Sequence, residues 1–335
     1  MSKLAPIERI SRGIVRVLGL NPGPFTLQGT NTYVIGHGER RVLVDTGDGA
    51  QPEYYDVLRQ CLGASRIDRI LLTHWHADHL GGVNQLLSMP DVVTSDCAVY
   101  KNYNTVIDSK EDVVAMLSVA RSRNCLHPIA DGQVFEVDGG SICLKAVLAQ
   151  GHTNDHMAFT VHGESVEEDV AGPLLLTGDL VLGQGTTIVD DLHRYMASLE
   201  RVLGLVPSAL LPGHGPSIRG CDPSGTFNAV RVIEGYIEHR RMREQQIIEA
   251  LGRPPPSRDN GGWWRVDEIT SAVYTEITDP SIVRAAQHNT RLHLEKLLAD
   301  GKVRRHIMDD QAELWELIRG SVALEKKGGI WINSV

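Results

Sequence analysis

The chain has 335 residues, of which 42% are hydrophobic and 22% charged, and carries a formal net charge of −9. This length exceeds the roughly 100 to 200 residues of an ordinary domain, leaving room for one large α/β domain with a small appendage, and the composition excludes a disordered chain. No apolar run approaches the roughly 20 residues of a membrane-spanning helix, and the acidic balance argues against general adhesion to polyanions, although bound metal and local arginines reverse the sign at a site.

Five cysteines (Cys61, Cys97, Cys125, Cys143 and Cys221) are odd in number and lack CxxC spacing, which points to a reducing compartment rather than a disulfide framework. The N-terminus has no apolar signal core, and the acidic Glu8 stands directly before the series Arg9, Arg12, Arg16. An intracellular protein of the cytoplasm or mitochondrial matrix is expected, with no membrane partner.

In chain order, Gly13 to Leu20, Thr32 to Gly36 and Arg41 to Val44 read as strands, the last two joined by Gly36-His37-Gly38-Glu39. Tyr54 to Leu62 reads as a helix, Arg69 to Leu72 as a buried strand, and Leu80-Gly81-Gly82-Val83 opens another helix. Gln133 to Val137, Ser141 to Ala149, Met157 to Val161 and Leu174 to Leu176 form a second strand series. Two strand-rich halves interleaved with helices predict packed sheets with helices outside.

After Pro216 the texture changes. Phe227 to Leu251 carries Val230, Ile233, Ile237, Ile247 and Ile248 at helical spacing, and the Pro- and Gly-rich stretch Gly252 to Gly262 breaks it. Two helices, Val266 to Ile277 and Ser281 to Asp300, then a hairpin of Lys302 to Ile307 with Ala312 to Leu317, make a small winged-helix-like helical unit. The expected domains are 1–225, a connecting helix and linker over 226–262, and 263–335. The apolar face Ile282, Ala285, Ala286, Leu292, Leu297, Leu298 must be covered, which leaves a homodimer open.

The densest chemistry is His74-Trp75-His76-Ala77-Asp78-His79, which places metal-ligating groups in a short turn after a strand. Imidazoles and a carboxylate crowded there are electrostatically awkward without a cation. Further groups follow apolar runs in the same way: His152 with His156, Asp179 after Thr177-Gly178, and His214 in Pro212-Gly213-His214-Gly215. Each of these alone also reads as an ordinary turn residue.

Content and order together resemble the metallo-β-lactamase superfamily, which implies an αββα sandwich. By that resemblance His74, His76 and His152 hold one metal, Asp78, His79 and His214 a second, and Asp179 bridges them. Asp45, in Val44-Asp45-Thr46-Gly47, matches the acidic group that orients the histidine loop from behind; on turn chemistry alone it also reads as a strand-end aspartate. Two Zn2+ are expected, with Mn2+ or Fe not excluded by the ligand types. Such a pair can share a hydroxide near neutral pH that attacks phosphorus or a carbonyl carbon, with Asp78 and Asp179 in the reacting centre. His156 is the candidate proton donor, against a packed histidine.

Outside the ligands, Asn21-Pro22-Gly23-Pro24, Gly29-Thr30-Asn31-Thr32-Tyr33, Tyr195 to Leu199 and Tyr236 to Arg240 resemble a branch of endoribonucleases that cut single-stranded RNA. A related fungal branch shares the Gly-Thr-Asn-Thr-Tyr run but hydrolyses acyl-carrier-protein thioesters, and a glyoxalase II type thioesterase uses the same scaffold. The resemblance therefore implies RNA as partner, with an acyl-carrier protein or small thioester as the alternative. Asn31, Tyr33, His239, Arg240 and Arg243 are the expected substrate contacts. The arginines read either as a phosphate track or as a solvated helix face. Trp263-Trp264-Arg265 with Arg304-Arg305-His306 reads either as a base-stacking surface or as packing. Departures occur at Ala149-Gln150-Gly151, where a looser turn before His152 is expected, and at lengthened loops over Thr105 to Asn124, Glu164 to Ala171 and Arg253 to Gly262.

Overall fold

The computed structural model describes residues 3–163, 172–257, 261–308 and 311–318. The first layers comprise β1 (Ile7–Ser11), β2 (Ile14–Leu18), β3 (Asn31–Ile35), β4 (Arg40–Val44), α1 (Pro52–Leu62), β5 (Arg66–Leu71), α2 (Ala77–Leu80), α3 (Val83–Leu87), β6 (Val93–Lys101), α4 (Glu111–Met116), α5 (Ser118–Ser122) and β7 (Leu126–Pro128). These seven strands form one sheet in sequence order, antiparallel from β1 to β4 and parallel from β4 to β7. The second sheet takes β8 (Val134–Val137), β9 (Ile142–Leu148), β10 (Met157–Gly163), β11 (Leu174–Gly178) and, after α6 (Leu192–Leu203), β12 (Ala209–Pro212). Its order is β12-β11-β10-β9-β8, with only β11 and β12 parallel.

Strand alternation explains why the sheets stack. Successive side chains point to opposite faces, so Tyr33, Ile35, Val42 and Val44 enter a cluster with Phe135, Leu144, Phe159, Val161 and Leu176 of the second sheet. Their neighbours Val34 and Leu43 face the other way, onto Tyr54 and Leu58 of α1, Val83 and Leu86 of α3, and Val113 of α4. Helix α6 buries Leu192, Tyr195, Met196, Leu199 and Val202. The result is the expected αββα sandwich.

One expectation changes, and one strand goes unread in the sequence. The stretch Thr105 to Asn124, expected as loop, contains α4 and α5, whose Val113, Leu117 and Ala120 are buried in the first core. Strand β6 escapes notice in the sequence because its Thr94, Ser95 and Asp96 interrupt the apolar pattern at positions that are not buried. The expected lengthened loop Glu164 to Ala171, and part of Arg253 to Gly262, lie outside the described residues.

The long helix α7 (Asn228–Leu251) contains the point at which the chain divides into compact units. Two compact units divide the chain between Glu238 and His239, so the segment expected at 226–262 is shared between them. The first half of α7 buries Ile233 and Ile237, and the second half gives Ile247, Ile248 and Leu251 to the core of the second unit. That unit adds β13 (Trp264–Arg265), α8 (Val266–Val273), α9 (Pro280–Ala299), β14 (Val303–Ile307) and β15 (Glu313–Leu317), with a three-stranded sheet in the order β13-β15-β14. Trp264 and Trp315 are buried in its core, which removes Trp264 as a base-stacking surface. On α9, Ala286, Leu294 and Leu297 are buried within the unit while Ile282 stays 54% exposed. No helix among the described residues is long and apolar enough to cross a membrane.

Phe159, with 0% exposure in the layer between the sheets, gives a direct check on this packing. Phe159→Ala is expected to cost roughly 3 to 5 kcal/mol in urea unfolding; an unchanged midpoint would contradict the stacked-sheet core.

Candidate metal centre

The functional side chains come from loops, and from the short helix α2, at one edge of the sandwich. His74, His76, Asp78 and His79 follow β5; His152 follows β9; Asp179 follows β11; His214 follows β12. Loops on a rigid scaffold hold reactive groups while the strands take up the packing.

Their ligating atoms form two triangles. His74 Nε2, His76 Nδ1 and His152 Nε2 are separated by 3.0, 3.2 and 3.3 Å. Asp78 Oδ2, His79 Nε2 and His214 Nε2 are separated by 3.1, 3.2 and 3.3 Å. Asp179 meets both, with Oδ2 3.6 Å from His152 Nε2 and 3.4 Å from His214 Nε2, and Oδ1 3.5 Å from His79 Nε2. A tetrahedral zinc site with Zn–N bonds of about 2.0 to 2.1 Å requires an edge of about 3.3 Å between ligand atoms. Both triangles match that edge.

The outer ring atoms establish which nitrogen faces inward. Asp45 accepts the Thr73 backbone N–H at 2.8 Å, the Thr73 hydroxyl at 2.8 Å and His79 Nδ1–H at 2.7 Å. The single Thr73 hydroxyl proton is committed to Asp45, so the 3.0 Å contact with His74 Nδ1 has the ring as donor. His152 Nδ1 donates to the Ile188 carbonyl at 2.7 Å, and His214 Nδ1 faces the Gly29 carbonyl. Each ring thereby directs a lone pair to the centre, the pattern by which outlying partners tune a metal ligand. Asp179 Oδ1 is buried with no hydrogen-bond partner among the described residues. A buried set made of inward lone pairs and carboxylates calls for a cation.

The electrostatics of the protein groups alone express the same demand. Burial and neighbouring imidazoles push His74 down and His76 to about 4. For His214, burial opposes protonation, but Asp179 and Asp78 outweigh it and raise the ring to about 9. His79 is likewise raised against burial by Asp78, Asp179 and Asp45. Protons thus gather beside the two carboxylates, where a divalent ion would replace them.

Supporting contacts reveal what several of the sequence motifs do here. Asp78 accepts from the Thr30 hydroxyl at 3.0 Å, and Thr30 is itself held by Asn21. Asn31 and Tyr33, expected as substrate contacts, are 1% and 2% exposed. Asn31 donates to the Pro212 and Gly215 carbonyls and Tyr33 to the Pro212 carbonyl, so both clamp the His214 loop. Buried Arg16 donates in turn to Asn31. His156, expected as a proton donor, is fully buried, and its Nε2 accepts the Asp179 backbone N–H at 3.0 Å. That bond makes it a positioning group for Asp179, and burial with nearby imidazoles keeps it neutral.

The turn before His152 is tightly held rather than loose. Ser198 donates to the Gln150 carbonyl, and the Gly151 carbonyl accepts from Asp190 and Asp191. Gly151 has φ +128°, and a Cβ there would lie 2.3 Å from Tyr195 Cα. Gly213 is equally constrained, since its Cβ would approach Asp179 Oδ1 to 2.5 Å. Sequence reading missed one buried cluster entirely: Lys101 Nζ lies 2.8 Å from Asp155 and 3.0 Å from Asp108, tying the His152 loop to the end of β6. No spacing rule signals it.

The expected contacts His239, Arg240 and Arg243 belong to the second unit. There Arg240 is buried and Arg243 stacks 3.9 Å from the Tyr274 ring centre.

Asp45→Asn keeps the shape and tolerates the φ of +60° at this position. It replaces one acceptor oxygen with an amide, so metal affinity is expected to fall about 10- to 100-fold in a competition titration with a chromophoric chelator. Unaltered affinity would contradict the orienting role of Asp45.

Comparison with known proteins supplies the family. The metallo-β-lactamase superfamily matches residues 25–214, and a β-lactamase-associated winged helix domain matches residues 266–315. The chain is 37% identical over 308 residues to a β-lactamase-like protein 2 homolog of Drosophila melanogaster, covering 91% of this chain and 94% of that one. It is 36% identical over 310 residues to an atrochrysone carboxyl ACP thioesterase of Cryptosporiopsis sp., covering 90% and 84%. A solved β-lactamase domain protein from Burkholderia ambifaria shares the fold, with a TM-score of 0.68 at 18% identity over 95% of each chain. With one family match spanning more than half of its length and these full-length likenesses, the chain belongs to the metallo-β-lactamase superfamily.

Proposed function

We propose that this hydrolase holds two divalent ions, most simply zinc, and cleaves single-stranded RNA. The observation carrying the reading is the pair of ligand triangles, each with the edge of a tetrahedral site and joined through Asp179. In the proposed assignment His74, His76 and His152 hold one ion, Asp78, His79 and His214 the other, and Asp179 serves both. When bound, such a pair supplies Lewis acidity that lowers the pKa of water and offsets charge developing on the substrate.

The chain's own residues do the positioning. Asp45 orients His79 and, through Thr73, His74; Thr30 restrains Asp78; His156 restrains the backbone of Asp179; Asn31 and Tyr33 seat the His214 loop. His76 and Asp78 are the partly exposed ligands, so substrate is read as entering on their side.

RNA as the substrate is supported by the likeness to β-lactamase-like protein 2 homologs along nearly the whole of both chains, together with the motif resemblance to the RNA-cleaving branch. A second reading, acyl-thioester hydrolysis, is favoured by relatives named as acyl-carrier-protein thioesterases at nearly the same identity. A common metal pair serves either bond, so substrate decides.

A fluorescent single-stranded RNA oligonucleotide and a panel of acyl-pantetheine and glutathione thioesters, each given to the zinc-loaded protein, separate the readings. RNA cleavage that falls to background on chelation and in His76→Ala is the expected outcome. Full metal occupancy with turnover of thioesters and none of RNA would reverse the ranking.

A further inference from the structure

We infer that the segment from Asn102 to Lys110 forms one side of the entrance to the metal centre, and that Lys110 there binds a backbone phosphate of the RNA beside the scissile bond. The inference rests on the RNA reading above.

The segment is rigidly founded. It leaves β6 at Lys101, whose buried ammonium bridges Asp108 and Asp155. Asp108 also accepts the Asn104 backbone N–H at 2.6 Å, and Asn104 Oδ1 accepts from the Val106 and Ile107 amides. Asp155 lies in the His152 loop, so the rim segment and one ligand loop share a single buried cation. Helix α4, which begins after Lys110, packs against α2, the helix that carries Asp78 and His79. Asn84 ties α3 to the same insert through Ala115, Ser118 and Val119.

This frame fixes a positive charge at the opening. Lys110 Nζ sits 3.4 Å from the centre of the Trp75 ring. The Trp75 ring is 4.8 Å from the ring of His76, one of the two partly exposed ligands. The ammonium is therefore within about 8 Å of the His76 ring. Trp75 also packs against the first core, which keeps the ring from following the lysine outward. A ring face attracts a cation without neutralising it, and among the described residues Lys110 has no ion-pair partner. A compact ammonium held in this way can still donate to a phosphate oxygen. Tyr103, 63% exposed on the same segment, offers a ring for an adjoining base.

The test uses the full-length zinc-loaded chain and the fluorescent oligonucleotide. KM and kcat are measured between about 50 and 200 mM salt for the parent, Lys110→Ala, Lys110→Arg and Tyr103→Ala. Metal content and thermal midpoint serve as controls for folding. Loss of one phosphate contact on a single strand should flatten the log KM against log salt slope by about 0.7. In Lys110→Ala, KM at low salt should rise about tenfold with kcat changed far less. Lys110→Arg should restore the slope, and Tyr103→Ala should raise KM without altering it. An unchanged KM and slope in Lys110→Ala, with the parent cleaving RNA normally, would overturn the role of Lys110 and leave the RNA reading standing. Failure of the parent to cleave RNA would overturn both.

Discussion

The orientation of one histidine in each ligand triangle depends on a single buried carboxylate. Asp45 sits at the end of β4 with φ +60°, a conformation disfavoured for residues other than glycine. Its two oxygens accept the backbone N–H and hydroxyl of Thr73 and the Nδ1–H of His79. The hydroxyl, once committed, requires His74 to donate from Nδ1, so a single carboxylate determines the inward nitrogen of one histidine in each triangle. Sparsely populated backbone persists where surrounding contacts over-determine it, and here three hydrogen bonds do so.

The two sheets supply the rest of the site. The first sheet delivers the histidine-rich turn after β5, and the second delivers His152, Asp179 and His214 from the turns beside β9, β11 and β12. Neither sheet alone supplies a complete triangle. The stacked core around Phe159 and Val44 therefore has a functional consequence, because it holds the two ligand sources in register. Close backbone approach at Gly213 and Gly151 shows how little free space remains around them.

Much of this was legible in the sequence. Strands such as β3 and β4 end in unbroken apolar runs because one face meets the second sheet and the other meets α1, and the density of His74 to His79 has few other physical explanations. Less legible were features that depend on distant partners. Asn31 and Tyr33 look like substrate contacts because they are polar groups in a distinctive motif, yet the carbonyls of the His214 loop take their hydrogen bonds. His156 looks like a second acid beside His152, yet its ring accepts from Asp179. Helices α4 and α5 are too short to display helical periodicity, and the cluster of Lys101, Asp108 and Asp155 joins three segments with no shared spacing.

The ligand triangles are proposed to hold a two-ion centre assembled from both sheets. Anomalous X-ray scattering from crystals of the zinc-loaded protein tests it most directly. The expected result is two peaks roughly 3.5 to 4 Å apart, one beside His74, His76 and His152 and the other beside Asp78, His79 and His214, with Asp179 between them. A single ion, or peaks away from these side chains in a correctly folded protein, would contradict it.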